Sequence, residues 1–361
     1  MKFGRIFRLF FLPVFFVLIL ISPQAFADAE IEKEIALGRK VVEEVESVWE
    51  RVADPALTAR LSMLLGRFLP HMSRPLPYEI RVVREKTHNA FSLPGGTIYF
   101  TTGMLEFLRT DAEVAAIMAH ELIHADNRHV MIQTARASRI NLAALALMIV
   151  SKGSAGPMML TNLLQVAVTN SYSKDLEREA DKEGFRILVE AGFPSAAMVT
   201  VLEAMDYEQI KQPLVDLGVY MTHPDMSERI AYILKTADEK KIPIRRKYAL
   251  NLLKPSVESS GGKTVLMLDE KPVWTLREDE ESKMAALEAA EKLAENLQME
   301  TAPYEIRLVT PGGRKTLAVG NAAVAREPLP EGAQSLESLR ESLVQALGDA
   351  RDRHRGAKYL R

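Results

Sequence analysis

His120-Glu121-Leu122-Ile123-His124 places two imidazoles four residues apart, with a carboxylate beside the first. On a helix, positions i and i+4 share a face about one turn apart, so both rings can hold one metal ion. Glu121 would stand next to that ion, within reach of a water whose pKa the ion lowers to about 7. A carboxylate and an acidified water together permit attack on a carbonyl at neutral pH. Average residue frequencies put the pattern in about one chain of this length per hundred by chance, so its surroundings must carry part of the argument.

Two imidazoles are too few for a catalytic site, which usually takes three protein ligands and keeps one position for water. The stretch Ser171-Tyr172-Ser173-Lys174-Asp175-Leu176-Glu177-Arg178-Glu179-Ala180-Asp181 is the best source of a third ligand. On a helix Glu177 and Asp181 share a face. Glu177 can reach the ion, and Asp181 can accept the free ring N–H of a ligand histidine and fix its tautomer. Acidic residues four apart also make an ordinary solvated face, and the spacing alone leaves both readings open.

These side chains need a scaffold. Thr110-Asp111-Ala112-Glu113 is a capping box that opens a helix running to about Arg136, with Val114, Ile117, Met118, Leu122 and Val130 on its apolar face. Residues 172–190 read as a second helix, stopped by Ala191-Gly192. Upstream, residues 31–52 and 57–69 show helical spacing, the latter opened by Asp54-Pro55. Then comes β signal: residues 78–83 alternate, and residues 89–93 and 97–101 flank Pro94-Gly95-Gly96 as a hairpin. Residues 141–150 are an apolar run too short to span a membrane, with Gly and Pro soon after. They read either as a buried helix or as a flap over the site. Helices over 194–209 and 224–240 follow, with a loop at 211–222 between them.

Near Pro243 the character changes. Ser259-Ser260-Gly261-Gly262 is linker-like. The remainder reads as strands at 264–268 and 273–276, a helix at 279–297, strands at 304–310 and 315–319 around a Pro-Gly-Gly turn, and a helix at 336–347. It shows no helical-repeat period and no catalytic cluster.

Lys2, Arg5 and Arg8 precede an apolar stretch at 10–21, and Ala25-Phe26-Ala27 has the small-x-small pattern that a signal peptidase accepts. Residues 1–27 are therefore expected to be a signal peptide cleaved after Ala27. An uncleaved anchor is the alternative, since the apolar run approaches membrane-spanning length. The 361 residues contain no Cys, which excludes both a lipid-anchored lipoprotein and disulfides. These features fit export to a bacterial periplasm. The formal net charge of −2 gives no reason to expect nucleic acid as a partner.

Between about Glu34 and Lys240 the chain resembles the zinc metallopeptidase family typified by HtpX and the CAAX prenyl proteases, most of all its periplasmic, BepA-like members. Five ordered segments carry the resemblance: Ile35-Ala36-Leu37-Gly38; Asn89-Ala90-Phe91-Ser92-Leu93-Pro94-Gly95-Gly96 with Ile98-Tyr99 and Gly103-Met104-Leu105; His120 to His124; Glu177-Arg178-Glu179-Ala180-Asp181; and His223-Pro224 with Arg229-Ile230. The resemblance implies an α+β fold: a mainly helical, zincin-like metallopeptidase domain with a small β-sheet over residues 28–245. A small α/β domain of unknown role would follow over 246–361.

The resemblance also implies roles. His120, His124 and Glu177 would bind one Zn2+ per chain, Glu121 would be the general base, and Asp181 would support a ligand histidine. His223 would close the open metal position as a switch or lie near the oxyanion, although it also reads as a loop histidine capping the next helix. His129 reads as a structural neighbour of the motif helix and Glu179 as solvated. The strand at 89–92 would pair with an extended substrate backbone, which suits cleavage of unfolded, misfolded or surplus envelope proteins. The competing reading is a metal-binding chaperone-like or adaptor protein whose site is latent and closed by His223. The chain lacks the several long transmembrane helices of HtpX and the prenyl proteases, and the helical repeats that follow the BepA peptidase domain. Membrane-embedded substrates and a role in outer-membrane assembly are therefore not implied. Peripheral association with the envelope and docking of a partner by the C-terminal domain are further expectations.

Overall fold

The computed structural model describes residues 23–142, 144–145, 155–169, 172–211, 226–299 and 301–353. Most of the expected signal peptide, most of the apolar run at 141–150, and the segment containing His223 lie outside the described residues. No described helix is long and apolar enough to cross a membrane.

Helices α1 (Pro23–Val48) and α2 (Pro55–Gly66) precede a sheet of β1 (Glu79–Val83), β2 (Ala90–Ser92) and β3 (Thr97–Thr101). The Asp54 carboxylate accepts from the main-chain N–H groups of Ala56 and Leu57, and so caps α2. β2 and β3 form the expected hairpin, while β1 runs parallel to β3, so β2 is an edge strand. Period-two alternation sends Ile80, Val82, Ala90, Ile98 and Phe100 into one core and Val83, Phe91, Leu93 and Tyr99 into another. The sheet is thus buried on both faces, and α1 packs on the second. At Gly38 of α1 a Cβ would stand 2.0 Å from the Pro94 carbonyl oxygen, so only glycine permits this approach to the hairpin turn.

After the short α3 (Thr102–Phe107) come α4 (Asp111–Asp126) and α5 (His129–Ser138). Thr110 caps α4 as expected: its Oγ1 accepts from the Glu113 N–H, while the Glu113 carboxylate reaches back to accept from the N–H of Arg109, just before the cap. The single helix expected up to Arg136 is two. Arg128 takes the left-handed region at φ 58°, a conformation that costs a non-glycine residue about 1–2 kcal/mol. Local contacts hold the break. Asp126 accepts hydrogen bonds from the Ser73 and Arg74 main chain and from the Tyr78 hydroxyl, and the Arg128 guanidinium sits 2.9 Å from Glu34.

The peptidase-like part continues with α6 (Ala155–Thr169), α7 (Lys174–Glu190), α8 (Ala196–Lys211), α9 (Met226–Glu239) and α10 (Arg246–Ala249). Helices α4, α7, α8 and α9 share a core with α2 and the inner sheet face, and α5 and α6 join the core around α1. Leu145, one of the described residues of the apolar run, is fully buried in this second core.

The C-terminal segment has a third core of its own. β4 (Pro255–Ser260), β5 (Lys263–Leu268) and β6 (Lys271–Arg277) precede α11 (Glu280–Leu297). β7 (Ile306–Val309), β8 (Thr316–Val319) and β9 (Ala322–Arg326) precede α12 (Leu336–Arg353). Both sheets are antiparallel meanders, so this segment is α+β in topology and not the expected α/β. Ser259-Ser260-Gly261-Gly262 is not a linker: it ends β4 and turns into β5, with both glycines at positive φ. The two halves repeat. Each middle strand carries a register shift, at Leu266/Met267 and at Leu317/Ala318, and each meander leads into a helix of 18 residues. Strands β4 and β9 escape a reading of the sequence because they are largely exposed and lack an apolar run. The buried Lys247 ammonium donates to the Met299 and Thr301 carbonyls and ties α10 to this segment.

Candidate metal centre

Helix α4 presents His120 and His124 one turn apart, and α7 brings Glu177 to them from its first turn. The two Nε2 atoms are 3.0 Å apart. Glu177 oxygens lie 3.7 Å from His120 Nε2 and 3.6 Å from His124 Nε2. Ligand atoms about 2.0–2.2 Å from a tetrahedral ion stand roughly 3.3–3.6 Å from one another. The three side chains therefore fit a single ion, and they are the described group whose ligand atoms all fall within 4.8 Å of each other. The helices approach closely to achieve this. A Cβ at Gly184 of α7 would meet the His120 main chain at 3.2 Å.

The ring nitrogens that face away from this point are also engaged. His120 Nδ1 is 3.0 Å from an Asp181 carboxylate oxygen. Asp181 is wholly buried and is held by Arg229 of α9, which donates from Nε at 2.8 Å and from Nη2 at 2.7 Å, and by the Tyr232 hydroxyl. Burial alone would raise its pKa. The Arg229 guanidinium, and then His120, outweigh burial and hold the carboxyl well below the usual range. Sequence reasoning gave Arg229 no role, yet a signal was present. On α9 the buried positions are Met226, Arg229, Ile230, Ile233 and Ala237, so Arg229 is a charge on the apolar stripe, where charges are found only when paired.

His129 is more than a neighbour of the motif helix. The break after α4 turns its ring so that Nδ1 lies 3.0 Å from His124 Nδ1. With His124 Nε2 pointed at the metal position, its Nδ1 carries the proton and donates to His129. The His129 Nε2–H then points towards Glu179, 3.6 Å away. Burial first, and the nearby His120 next, push the His129 pKa down to about 4, so it is a neutral acceptor. Removing the groups that orient ligand histidines typically costs 10–100-fold in metal affinity. His129→Ala should weaken metal binding on that scale in a chelator competition, and His129→Gln, whose amide oxygen can accept, should restore most of it.

Glu121 projects from α4 beside the three ligand side chains and is 1% exposed. Burial, and then the Glu177 carboxylate, push its pKa well above the usual range, while Ser92 of β2 and Arg229 oppose the rise. A cation held by Glu177 would cancel the second of these causes. The structure thus brings together five residues picked out in the sequence: His120, Glu121, His124, Glu177 and Asp181. His223 lies outside the described residues.

A helix bearing two imidazoles and an adjacent carboxylate, completed by a carboxylate from a second helix, defines a metal-dependent hydrolase. Comparison with known proteins agrees with that class. Residues 55–237 match the model of peptidase family M48, and the chain belongs to this family. It is 25% identical over 210 residues to the beta-barrel assembly-enhancing protease of Escherichia coli K12, covering 56% of this chain and 43% of that protein. It is 34% identical over 156 residues to the mitochondrial metalloendopeptidase OMA1 of Arabidopsis thaliana, covering 43% of this chain and 30% of that one. For the OMA1 of Schizosaccharomyces pombe the figures are 28% over 216 residues, 58% and 62%. The chain therefore spans less than half the length of the bacterial relative.

Proposed function

We propose that the protein is a zinc-dependent endopeptidase acting on extended polypeptide, with His120, His124 and Glu177 holding one ion per chain. The observation that carries this reading is the convergence of those three side chains beside a buried Glu121. Zinc at that point would polarise the scissile carbonyl and acidify a water. The chain supplies the rest. Glu121 takes a proton from the attacking water and returns it to the leaving amine. Asp181 and His129 keep the two imidazoles in the required tautomers. β2, at the sheet edge, offers main-chain groups to an extended substrate, which recognises backbone more than sequence. Because the site is buried, a substrate strand must displace what covers β2. Among the described elements α6 is bound at the start of that strand, where the side-chain N–H of Asn89, just before β2, donates to the Val168 carbonyl.

The amino-terminal pattern supports export to a bacterial periplasm, and misfolded or surplus envelope proteins are the substrates that fit both compartment and edge strand. The separate third core supports treating residues 246–361 as a distinct domain, which would dock a partner. Purified protein should contain about one zinc per chain. It should cleave fluorescently labelled casein, lose that activity to 1,10-phenanthroline, and recover it on adding zinc. Cleavage unaffected by the chelator, or metal-free protein with full activity, overturns the proposal.

A further inference from the structure

Tyr172 immediately precedes the cap of α7 and belongs to no part of the machinery described so far. Its ring stacks on that of His124, with centroids 4.1 Å apart and planes inclined by 22°. The residue is 8% exposed, and its buried hydroxyl makes no well-formed hydrogen bond, with Ser92 of β2 as its polar neighbour. Ser92 Oγ on the edge strand, a neighbour of both this hydroxyl and the Glu121 carboxylate, and Glu121 Oε2 are likewise buried without a well-formed hydrogen bond. Native chains bury such orphans rarely, and a group of them beside reactive side chains is a place kept for a ligand's polar atoms.

The chemistry of the three differs. Glu121 is an acceptor when ionised. A phenol is a donor as long as it keeps its proton. An ordinary phenol keeps its proton at neutral pH, so Tyr172 offers an O–H there. A buried O–H whose ring is stacked on a ligand histidine, and to which no carboxylate or carbonyl is hydrogen-bonded, suits the one atom in peptide hydrolysis that gains negative charge, the scissile carbonyl oxygen. Stacking on His124 fixes the phenol's direction, so little is lost in ordering it when substrate arrives.

Resting on the endopeptidase reading above, we propose that Tyr172 is a catalytic residue whose hydroxyl donates a hydrogen bond to the scissile carbonyl oxygen as it becomes an oxyanion. Tyr172 keeps its proton throughout. Water adds to the carbonyl carbon, Glu121 receives the water's proton, and the hydrogen bond from Tyr172 shortens as charge develops.

The test is Tyr172→Phe, which keeps the ring on His124 and removes only the donor. Loss of one such donor typically lowers turnover by about 10²–10³-fold. With labelled casein the expected result is a fall of that size in kcat with KM changed less than about threefold, and with zinc content and thermal midpoint preserved. A phosphinic peptide, which imitates the tetrahedral state, should lose affinity by a similar factor. The product peptide should bind as before. Wild-type kcat in Tyr172→Phe, lost turnover matched by lost zinc, or unchanged phosphinic-peptide affinity overturns the assignment. The endopeptidase reading fails separately: in that case the wild type neither cleaves casein nor binds the phosphinic peptide, and the role of Tyr172 falls with it.

Discussion

Glu121→Gln should abolish cleavage of labelled casein while the protein still binds metal. The amide has nearly the size and shape of the carboxylate and fits the same buried position, so fold and ligand geometry are kept. It cannot accept the water's proton. General-base removal typically costs 10²–10⁴-fold, and the loss here should fall at the upper end, because no other described carboxylate is both beside the ligands and uncommitted. Glu177 is in the ligand set and Asp181 is consumed by Arg229 and His120. Turnover and zinc content measured on the same preparation check this. Full activity in the variant would remove Glu121 from the mechanism, and loss of zinc would make its role structural.

The second large effect is expected at Asp181. Asp181→Ala removes from the buried Arg229 the nearer of its two carboxylate neighbours, leaving only Glu177, 3.8 Å away and itself in the ligand set. Breaking one side of a buried ion pair costs about 3–5 kcal/mol, a large share of the 5–15 kcal/mol by which a domain is stable. The same change frees the His120 ring and should lower metal affinity by 10–100-fold. These two consequences can be separated. Replacing Asp181 and Arg229 together by apolar residues removes the uncompensated charge, and stability measured by urea denaturation should largely return. Metal affinity measured by chelator competition should not, because His120 still lacks its acceptor. If stability and affinity recover together, Asp181 serves only to neutralise Arg229.

The family relatives extend well beyond the matched region, and the C-terminal repeat has its own core. The described metal-facing residues lie between β2 and α9, within the family match at 55–237.

The sequence alone determined what depends on nearest neighbours along the chain. His120 and His124 share a face because a helix repeats every 3.6 residues, and the capping box at Thr110 and Glu113 starts that helix wherever it packs. The hairpin at Pro94-Gly95-Gly96 is equally local, since its glycines alone accept the positive φ of the turn. Glu177 and Asp181 were legible as candidates, but a pair of acids on a helix face looks the same in solvent as in a site. Only the packing of α7 on α4, through Gly184, turned that face inward. Tertiary structure also decided what no spacing encodes. A left-handed residue at Arg128, held by Glu34 about ninety positions earlier, ended α4 and aimed His129 at His124. Arg229, from a helix some fifty residues further on, fixed Asp181. Such choices escape local reading because their energy comes from charges and rings that meet only after the chain has folded.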